Sequence, residues 1–130
     1  MKYKLTDETI EKNGITLYRI QALKDFGDVK TGDSGGWIQS KKNLSQYGNA
    51  WVGGDAQVFD TARISGDATV FGNALVFGNA QVFDNAWVSG NAWVSNNAWV
   101  YGEAKVFGNA KVFDSAQVYD DAEIKNGSIG

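Results

Sequence analysis

Residues 72–101 read GNALVF GNAQVF DNAWVS GNAWVS NNAWVY, five copies of one six-residue unit. Each copy begins with a turn residue and a polar residue, continues with Ala and a variable residue, and ends with Val or Ile and a second variable residue. The unit recurs thirteen times from Gly48 to Lys125 without an insertion or deletion, and its third position is Ala in every copy. An unbroken period of six over 78 residues indicates a repeat architecture.

The repeat unit predicts a short strand followed by a corner. Side chains alternate along a strand, so the Val or Ile points inward and its two neighbours point outward. The corner position is Gly in eight copies, Asp in four and Asn in one, and these residue types tolerate unusual backbone angles or cap turns. Three sides close a triangle, which gives coils of 18 residues that stack about 4.8 Å apart. Hairpins would need paired turn dipeptides and a helix would need a period near 3.6, so both are disfavoured.

The pattern Val-x-Gly-Asn-Ala-x, at Val76 to Gln81 and Val106 to Lys111, resembles the hexapeptide repeat of left-handed parallel β-helix proteins. The resemblance implies an all-β fold, a left-handed parallel β-helix with three sides. In hexapeptide acyltransferases the place after the aliphatic residue is usually small, whereas here it is often aromatic. The aromatic residues at this place are Phe59, Phe71, Phe77, Phe83, Tyr101, Phe107, Phe113 and Tyr119.

Residues 1–47 differ from the repeat array, 48–130, and are expected to cap its N-terminal edge, because solenoids need such caps. Tyr3 to Ile10 and Ile15 to Leu23 are predicted strands joined by the hairpin turn Asn13-Gly14. Residues 29–47 are predicted to form an irregular first coil, with Ile38 and Leu44 in phase with the later Ala positions.

The segment from Leu23 to Ser45 resembles the leader found before Gly-Asn-Ala repeats in small phage and prophage proteins. It carries Leu23-Lys24-Asp25-Phe26-Gly27-Asp28-Val29, Gly32-Asp33, Gly35-Gly36-Trp37-Ile38 and Asn43-Leu44-Ser45. This resemblance implies a viral or mobile-element origin and no enzymatic activity.

The chain stops partway through a hexad, at Asn126 to Gly130, with no sign of a capping helix. An open coil leaves unpaired strand edges. We therefore expect a homo-oligomer, either end to end through this coil or side by side as in the acyltransferase trimers. Stacked Asn73, Asn91 and Asn109 are predicted to form an amide ladder on one corner.

Composition excludes several functional classes. The chain has no His, the usual general base and commonest metal ligand, and no Cys, so we expect no enzyme activity, metal or other cofactor. The array carries four basic and nine acidic residues, which disfavours nucleic-acid binding. No run of 18 apolar residues and no signal-peptide core occur, so no membrane association and a cytoplasmic location (the host cytosol for a phage protein) are expected.

One motif and the fold itself each suggest an enzymatic interpretation. Gly32-Asp33-Ser34-Gly35-Gly36 matches the nucleophile motif of trypsin-like proteases, but that chemistry needs a His base, so we interpret the motif as a tight turn. Acyl-CoA-dependent acyl transfer is an alternative because the fold hosts it, yet those enzymes generally use His. The corner acids Asp67, Asp84, Glu103 and Asp120 recur near one edge, where solvated turns explain them best.

Outward aromatic residues are the candidate site. Residues 18 apart lie above one another, so Phe83, Tyr101 and Tyr119 share a face and Phe59 stacks on Phe77. Trp87, Trp93 and Trp99 fall one on each side of a single coil, and the Trp99 side is expected to be the most crowded. Such residues either stabilise the coils as ladders or bind a protein, since contiguous exposed aromatic patches mark interfaces.

The sequence therefore predicts a non-enzymatic β-helix that binds a host or viral protein, for example as an inhibitor of a host defence protein. The predicted contacts are Trp99, Tyr101, Phe83, Tyr119, Trp87, Trp93 and, in the cap, Trp37. The alternatives are a structural or spacer component of a virion and, less favoured, an acyltransferase-like enzyme.

Overall fold

A computed structural model describes all 130 residues, and its regular structure is almost entirely β-strand. One short 3₁₀ helix spans Lys41–Asn43. In chain order the strands are β1 (Tyr3–Lys12), β2 (Ile15–Ala22), β3 (Ser34–Ile38), β4 (Trp51–Val52), β5 (Gln57–Val58), β6 (Arg63–Ile64), β7 (Thr69–Val70), β8 (Leu75–Val76), β9 (Gln81–Val82), β10 (Trp87–Val88), β11 (Trp93–Val94), β12 (Trp99–Val100), β13 (Lys105–Val106), β14 (Lys111–Val112), β15 (Gln117–Val118), β16 (Glu123–Ile124) and β17 (Ser128–Ile129). No helix combines the length and apolar character needed to cross a lipid bilayer.

The strands from β4 onward stack in parallel, and each pairs with the strand one coil later. Trp87 pairs with Lys105 and Val88 with Val106, eighteen residues along the chain. The Trp87 face contains β4, β7, β10, β13 and β16; the Trp93 face contains β1, β2, β3, β5, β8, β11, β14 and β17; and the Trp99 face contains β6, β9, β12 and β15. This arrangement confirms the predicted all-β, three-sided β-helix with 18-residue coils. The left-handed winding stays a prediction from the resemblance.

The core of the array is a column of small and branched side chains. Every repeat Ala from Ala50 to Ala110 is fully buried, as is every repeat Val from Val52 to Val112. The corner residue that precedes them has a positive φ in each copy from Gly48 to Asp120, between 53° and 68°. Gly, Asn and Asp are the residues that adopt this conformation at least cost, which explains why the corner position uses only these three types.

Backbone hydrogen bonds join each coil to the next. The Trp87 N–H donates to the Ala104 carbonyl at 2.9 Å, and the Ser89 N–H donates to the Val106 carbonyl at 2.9 Å. The corners add side-chain bonds, but not where an amide ladder was predicted. Asn73, Asn91 and Asn109 form no side-chain hydrogen bonds with one another; instead, Thr61 donates to Asn79, and Asn79 Nδ2 donates to Asn97 Oδ1 at 3.4 Å.

The N-terminal hairpin extends the Trp93 face. Strands β1 and β2 are antiparallel and turn at Asn13 and Gly14, whose φ angles are 52° and 85°, which confirms the predicted hairpin. Strand β3 lies antiparallel to β2 and parallel to β5, so it joins the hairpin to the array. The core of residues 1–47 and that of the array form one continuous hydrophobic cluster.

The predicted phase of the first coil was wrong. Ile38 pairs with Val58 and Leu44 pairs with Ile64, so both occupy the branched position of the repeat and not the Ala position. Each pair is separated by twenty residues, because β3 and the 3₁₀ helix take a longer path than a regular coil. Period alone could not reveal those two extra residues.

The tight-turn interpretation of Gly32 to Gly36 was also wrong for its last two glycines, which lie inside strand β3. A Cβ on Gly35 would lie 2.6 Å from the Val52 carbonyl oxygen, and one on Gly36 would lie 2.6 Å from the Ala56 carbonyl oxygen. The cap backbone therefore crosses the bottom of the prism in direct contact with the first coil, where no side chain fits.

Two polar side chains close the bottom of the prism. The buried Lys2 ammonium donates to the Ala50 carbonyl oxygen at 2.7 Å, and the Tyr3 hydroxyl donates to the Leu44 carbonyl oxygen at 2.5 Å. Burial, together with nearby Lys24, lowers the pKa of Lys2 to about 8. Burial raises the pKa of Tyr3 well above its ordinary value.

The last residues continue the coil beyond Lys125, where the regular hexads end. Strand β17 pairs with β14, so that Ile129 stacks beside Val112. Lys111 pairs with Ser128, which is only seventeen residues later, because Asn126 and Gly127 shorten the corner. Gly127 has a φ of 88°, which this tighter corner requires.

Candidate protein-binding surface

The three tryptophans of one coil lie on three different faces, as predicted. Trp87 is on β10, Trp93 on β11 and Trp99 on β12. Their exposed fractions are 47%, 42% and 39%, which are high for Trp. Each indole also packs edge to face against an aromatic ring of the coil below, so the three positions are built alike.

The Trp99 face carries a continuous run of aromatic rings. Phe83 stacks on Tyr101 with ring centroids 4.9 Å apart, and Tyr101 stacks on Tyr119 at 5.5 Å. Trp99 packs edge to face against both Phe83 at 5.8 Å and Tyr101 at 6.4 Å. Four aromatic rings thus contact one another on this side, and we name these residues, Phe83, Trp99, Tyr101 and Tyr119, the Trp99 surface.

The ladder interpretation also holds on another face, because Phe59 stacks on Phe77 at 5.2 Å, as predicted. There Phe59 is buried beneath the cap hairpin and packs with Leu17 and Trp37. Rings on the Trp93 face are therefore partly covered by residues 1–47. The rings of the Trp99 surface have no such cover from the rest of the chain.

Lysines distinguish the first two tryptophans from the third. Lys105 Nζ lies 5.2 Å from the centroid of the Trp87 ring, and Lys111 Nζ lies 4.7 Å from that of Trp93. The equivalent residue above Trp99 is Gln117, whose Oε1 accepts a hydrogen bond from the Tyr101 hydroxyl at 3.1 Å. No Lys or Arg lies over Trp99.

The charged groups of the Trp99 face lie at its N-terminal end, where Lys41, Lys42 and Arg63 line a cleft with Gln81, and along one corner. Its outward strand positions are Arg63, Ser65, Gln81, Phe83, Trp99, Tyr101, Gln117 and Tyr119, of which only Arg63 is charged. The corner that follows these strands bears a row of exposed carboxylates, which we name the acidic corner: Asp67, Asp84, Glu103, Asp120 and Asp121. Two of them are partly engaged by the backbone: Asp67 Oδ1 accepts a hydrogen bond from the Asn49 N–H at 3.1 Å, and Asp84 Oδ2 accepts one from the Gly102 N–H at 3.1 Å.

Trp37, which was predicted as a contact in the cap, does not lie on an exposed surface. Its side chain is only 7% exposed, and the Arg19 guanidinium lies 4.3 Å above its ring. Arg19 Nη1 also donates to the Gly35 carbonyl oxygen at 2.7 Å. Trp37 is thus part of the packing between hairpin and array, and the candidate surface does not include it.

Sequence reasoning found the aromatic members of the surface but missed Gln117 and the two lysines above Trp87 and Trp93. A signal was present, because Lys105, Lys111 and Gln117 each follow a Trp by 18 residues.

The shallow clefts of the molecule add no candidate site. The largest, about 510 Å³, lies beside Trp87 and is lined mainly by polar side chains, including Glu103 and Lys105. No group of three acidic, His or Cys side chains is placed to hold a metal ion.

Comparison with known proteins places the repeats among β-solenoids. A family described as the YdcK beta solenoid repeat matches residues 62–78, 80–96 and 86–102. A protein of Escherichia coli (strain K12), named "Uncharacterized acetyltransferase YdcK", is 37% identical over 59 residues, which cover 39% of this chain. The match spans only 18% of that relative's length. Together with the stacked coils, these similarities show a β-solenoid of the hexapeptide-repeat type.

Proposed function

We propose that this β-solenoid acts by binding another protein through the Trp99 surface. The observation that carries the proposal is a continuous, uncharged run of four aromatic side chains, of which Trp99 and Tyr119 are exposed. Aromatic residues are enriched and charged residues depleted at the centres of protein interfaces. A flat face of paired strands also holds these rings in place, so binding would cost little ordering entropy.

The narrower version is that a phage encodes the protein and that it inhibits a host defence protein. Its support is the resemblance of the segment from Leu23 to Ser45 to phage and prophage proteins. A recognition surface without enzymatic chemistry suits an inhibitor, since occlusion of a partner's site requires only binding.

Site-specific photo-crosslinking tests the binding surface. Benzoylphenylalanine in place of Gln81, on the Trp99 face, is expected to give a discrete adduct in extract of the cell in which the protein acts, which for a phage protein is the host. The same probe in place of Asn73, exposed on the opposite corner, is the matched control and should give no adduct. Trp99→Ala combined with Tyr101→Ala should abolish the adduct, and Trp93→Ala should not. Identical adducts from both probe positions, or an adduct that survives the double substitution, would refute the proposal.

A second candidate, acetyl transfer, has one specific observation in its favour, which is the printed name of the E. coli relative. The chain contains no His to serve as the base that such enzymes generally use. Calorimetric titration with acetyl-CoA separates the candidates. Saturable binding would support acetyl transfer, and no heat of binding would remove it.

A further inference from the structure

We propose that the Trp99 surface takes a basic protein segment, with a Lys or Arg side chain of that segment over the Trp99 ring. This inference rests on the proposed function and specifies the chemistry of the partner. The position over the ring is the one that the chain's own lysines occupy on the other two faces.

The three faces of this coil provide an internal comparison. Trp87 is paired with Lys105, Trp93 with Lys111 and Trp99 with Gln117, all in the same register. The two ammonium groups lie 5.2 and 4.7 Å from the ring centroids, within the range of favourable cation–π contact. The strand pairing is the same on all three faces, so a cation from a partner would meet the Trp99 ring in the register in which Lys105 and Lys111 meet theirs.

The chain itself does not supply that cation. Gln117 holds the register position of the two lysines, but its Oε1 accepts a hydrogen bond from the Tyr101 hydroxyl and its amide carries no charge to attract the ring. Arg63 lies two coils below Trp99, since it pairs with Gln81, which in turn pairs with Trp99. Trp99 is thus the one exposed tryptophan of the coil that lacks a cationic neighbour.

Charge complementarity sets the sign of the partner beside Tyr101 and Tyr119, because the cations of this face, Lys41, Lys42 and Arg63, lie at its other end in a cleft with Gln81. The acidic corner adjoins the stack of Phe83, Tyr101 and Tyr119 along its whole length, and all five of its carboxylates are exposed. The corner itself contains no Lys or Arg. A segment that laid apolar groups on the rings would place its neighbouring side chains within a Debye length of these carboxylates, about 8 Å at physiological salt. Basic side chains are attracted there and acidic ones are repelled.

Indole signals in NMR spectra provide the test. The probe is an acetylated and amidated octapeptide of alternating Gly and Arg, and the comparison peptides carry Glu or Ser in place of Arg. The Trp99 Nε1–H signal, assigned with Trp99→Phe, is expected to shift with the Arg peptide and to be unaffected by the other two. Raising the salt from 25 to 300 mM should weaken the Arg peptide's binding severalfold, because the attraction is partly screened.

Two single-charge variants make the test specific to the ring. Gln117→Lys gives Trp99 the internal cation that Trp87 and Trp93 already have, and it should weaken binding of the Arg peptide about fivefold. Asn73→Lys adds the same charge on the opposite corner and should change the affinity by less than about twofold. Circular dichroism of both variants verifies that the coils remain intact.

Several outcomes would overturn the inference. Equal shifts with the Ser peptide would mean that the surface does not select cations. Equal affinities for Gln117→Lys and Asn73→Lys would mean that the position over Trp99 is not the cation site. An adduct from the Gln81 probe that is insensitive to Gln117→Lys and to salt, yet lost with Trp99→Ala and Tyr101→Ala, would retain the proposed function and reject the basic partner.

Discussion

The array and the cap reach stability by different means. In the array, every coil repeats the same pairings, so Val88, Val94 and Val100 have equivalent neighbours and are equally buried. In the cap, each contact occurs once: Gly36 lies against the Ala56 carbonyl, and Lys2 reaches the Ala50 carbonyl. Substitutions in the array should therefore have similar and moderate effects, whereas substitutions in the cap should depend strongly on position.

The largest expected effect is at the joint between the two regions. Gly36→Ala places a Cβ 2.6 Å from the Ala56 carbonyl oxygen and 2.9 Å from Val52 Cγ1, and that oxygen is a backbone atom that accepts a hydrogen bond from the Trp37 N–H at 2.9 Å. We expect a loss of about 3 kcal/mol in the free energy of unfolding, the upper part of the range for single substitutions. Urea denaturation would measure it. The control is Gly32→Ala, where no atom lies within 4 Å and only the φ of 92° opposes a side chain, so its loss should be smaller.

The next effect tests the equivalence of the coils. Val88→Ala, Val94→Ala and Val100→Ala each remove two buried methyl groups from the same kind of site, and each should cost about 2 kcal/mol. Because the sites repeat, the three losses should agree within about 0.5 kcal/mol. In the cap, the losses for Leu17→Ala, Ile20→Ala and Leu44→Ala should differ widely from one another. If the three losses in the array differ as widely, the faces contribute unequally to the core.

This contrast also explains how much of the structure was predictable from sequence. The array followed from its period, because one residue type at each position encodes one local geometry, and the corners at Asp60 and Asn96 adopt the predicted unusual φ. The first coil did not follow, because the place of Ile38 depends on how β3 crosses the bottom of the prism. The path from Lys111 to Ser128 also departs from the period, because the corner at Asn126 and Gly127 is one residue shorter than the others.

The candidate surface also has a part that was predictable from the repeat and a part that was not. Register alone predicted that Phe83, Tyr101 and Tyr119 stack and that Trp99 lies beside them. Register could not predict that Trp37 is buried, because that depends on Arg19 in the hairpin, which shares no period with the array. Side-chain conformations also decided the corner hydrogen bonds, which joined Asn79 to Asn97 although Asn73 and Asn91 have the same spacing.

A smaller effect is the pH dependence of stability, which we expect to come from Lys2 and Tyr3 in the cap and not from the array. The folded chain lowers the pKa of Lys2 from 10.5 to about 8, so between these values the unfolded chain binds more protons and stability rises with pH. Above about pH 10, Tyr3 acts in the opposite sense, because its raised pKa keeps the folded chain protonated while the unfolded chain loses a proton. Thermal unfolding should therefore show maximal stability near pH 10 and lower stability at pH 7.

Lys2→Met should flatten the rise between pH 8 and 10 and leave the decline above pH 10. The measure is the change with pH and not the absolute stability, since the substitution also removes the hydrogen bond to Ala50. A rise that persists unchanged in Lys2→Met would assign the titration to another group. Substitutions in the array, such as Val94→Ala, should shift the whole pH curve downward without changing its shape.

The smallest expected effect comes from exchanging Lys and Gln at the positions above two of the tryptophans, Lys105 above Trp87 and Gln117 above Trp99. Lys105→Gln removes the cation from Trp87 and should cost about 0.5 kcal/mol, while Gln117→Lys adds one to Trp99 and should gain about as much, less the lost hydrogen bond from Tyr101. Thermal unfolding of the single variants and of the double variant would measure both changes, which should add because the two sites lie on different faces. If Gln117→Lys destabilises the fold by as much as Lys105→Gln, the room over Trp99 is not equivalent to that over Trp87. The three faces would then share a backbone but not a cation site. If Gln117→Lys stabilises the fold, then Gln at this position is less stabilising than Lys would be. That result is expected of a residue that serves binding and not folding.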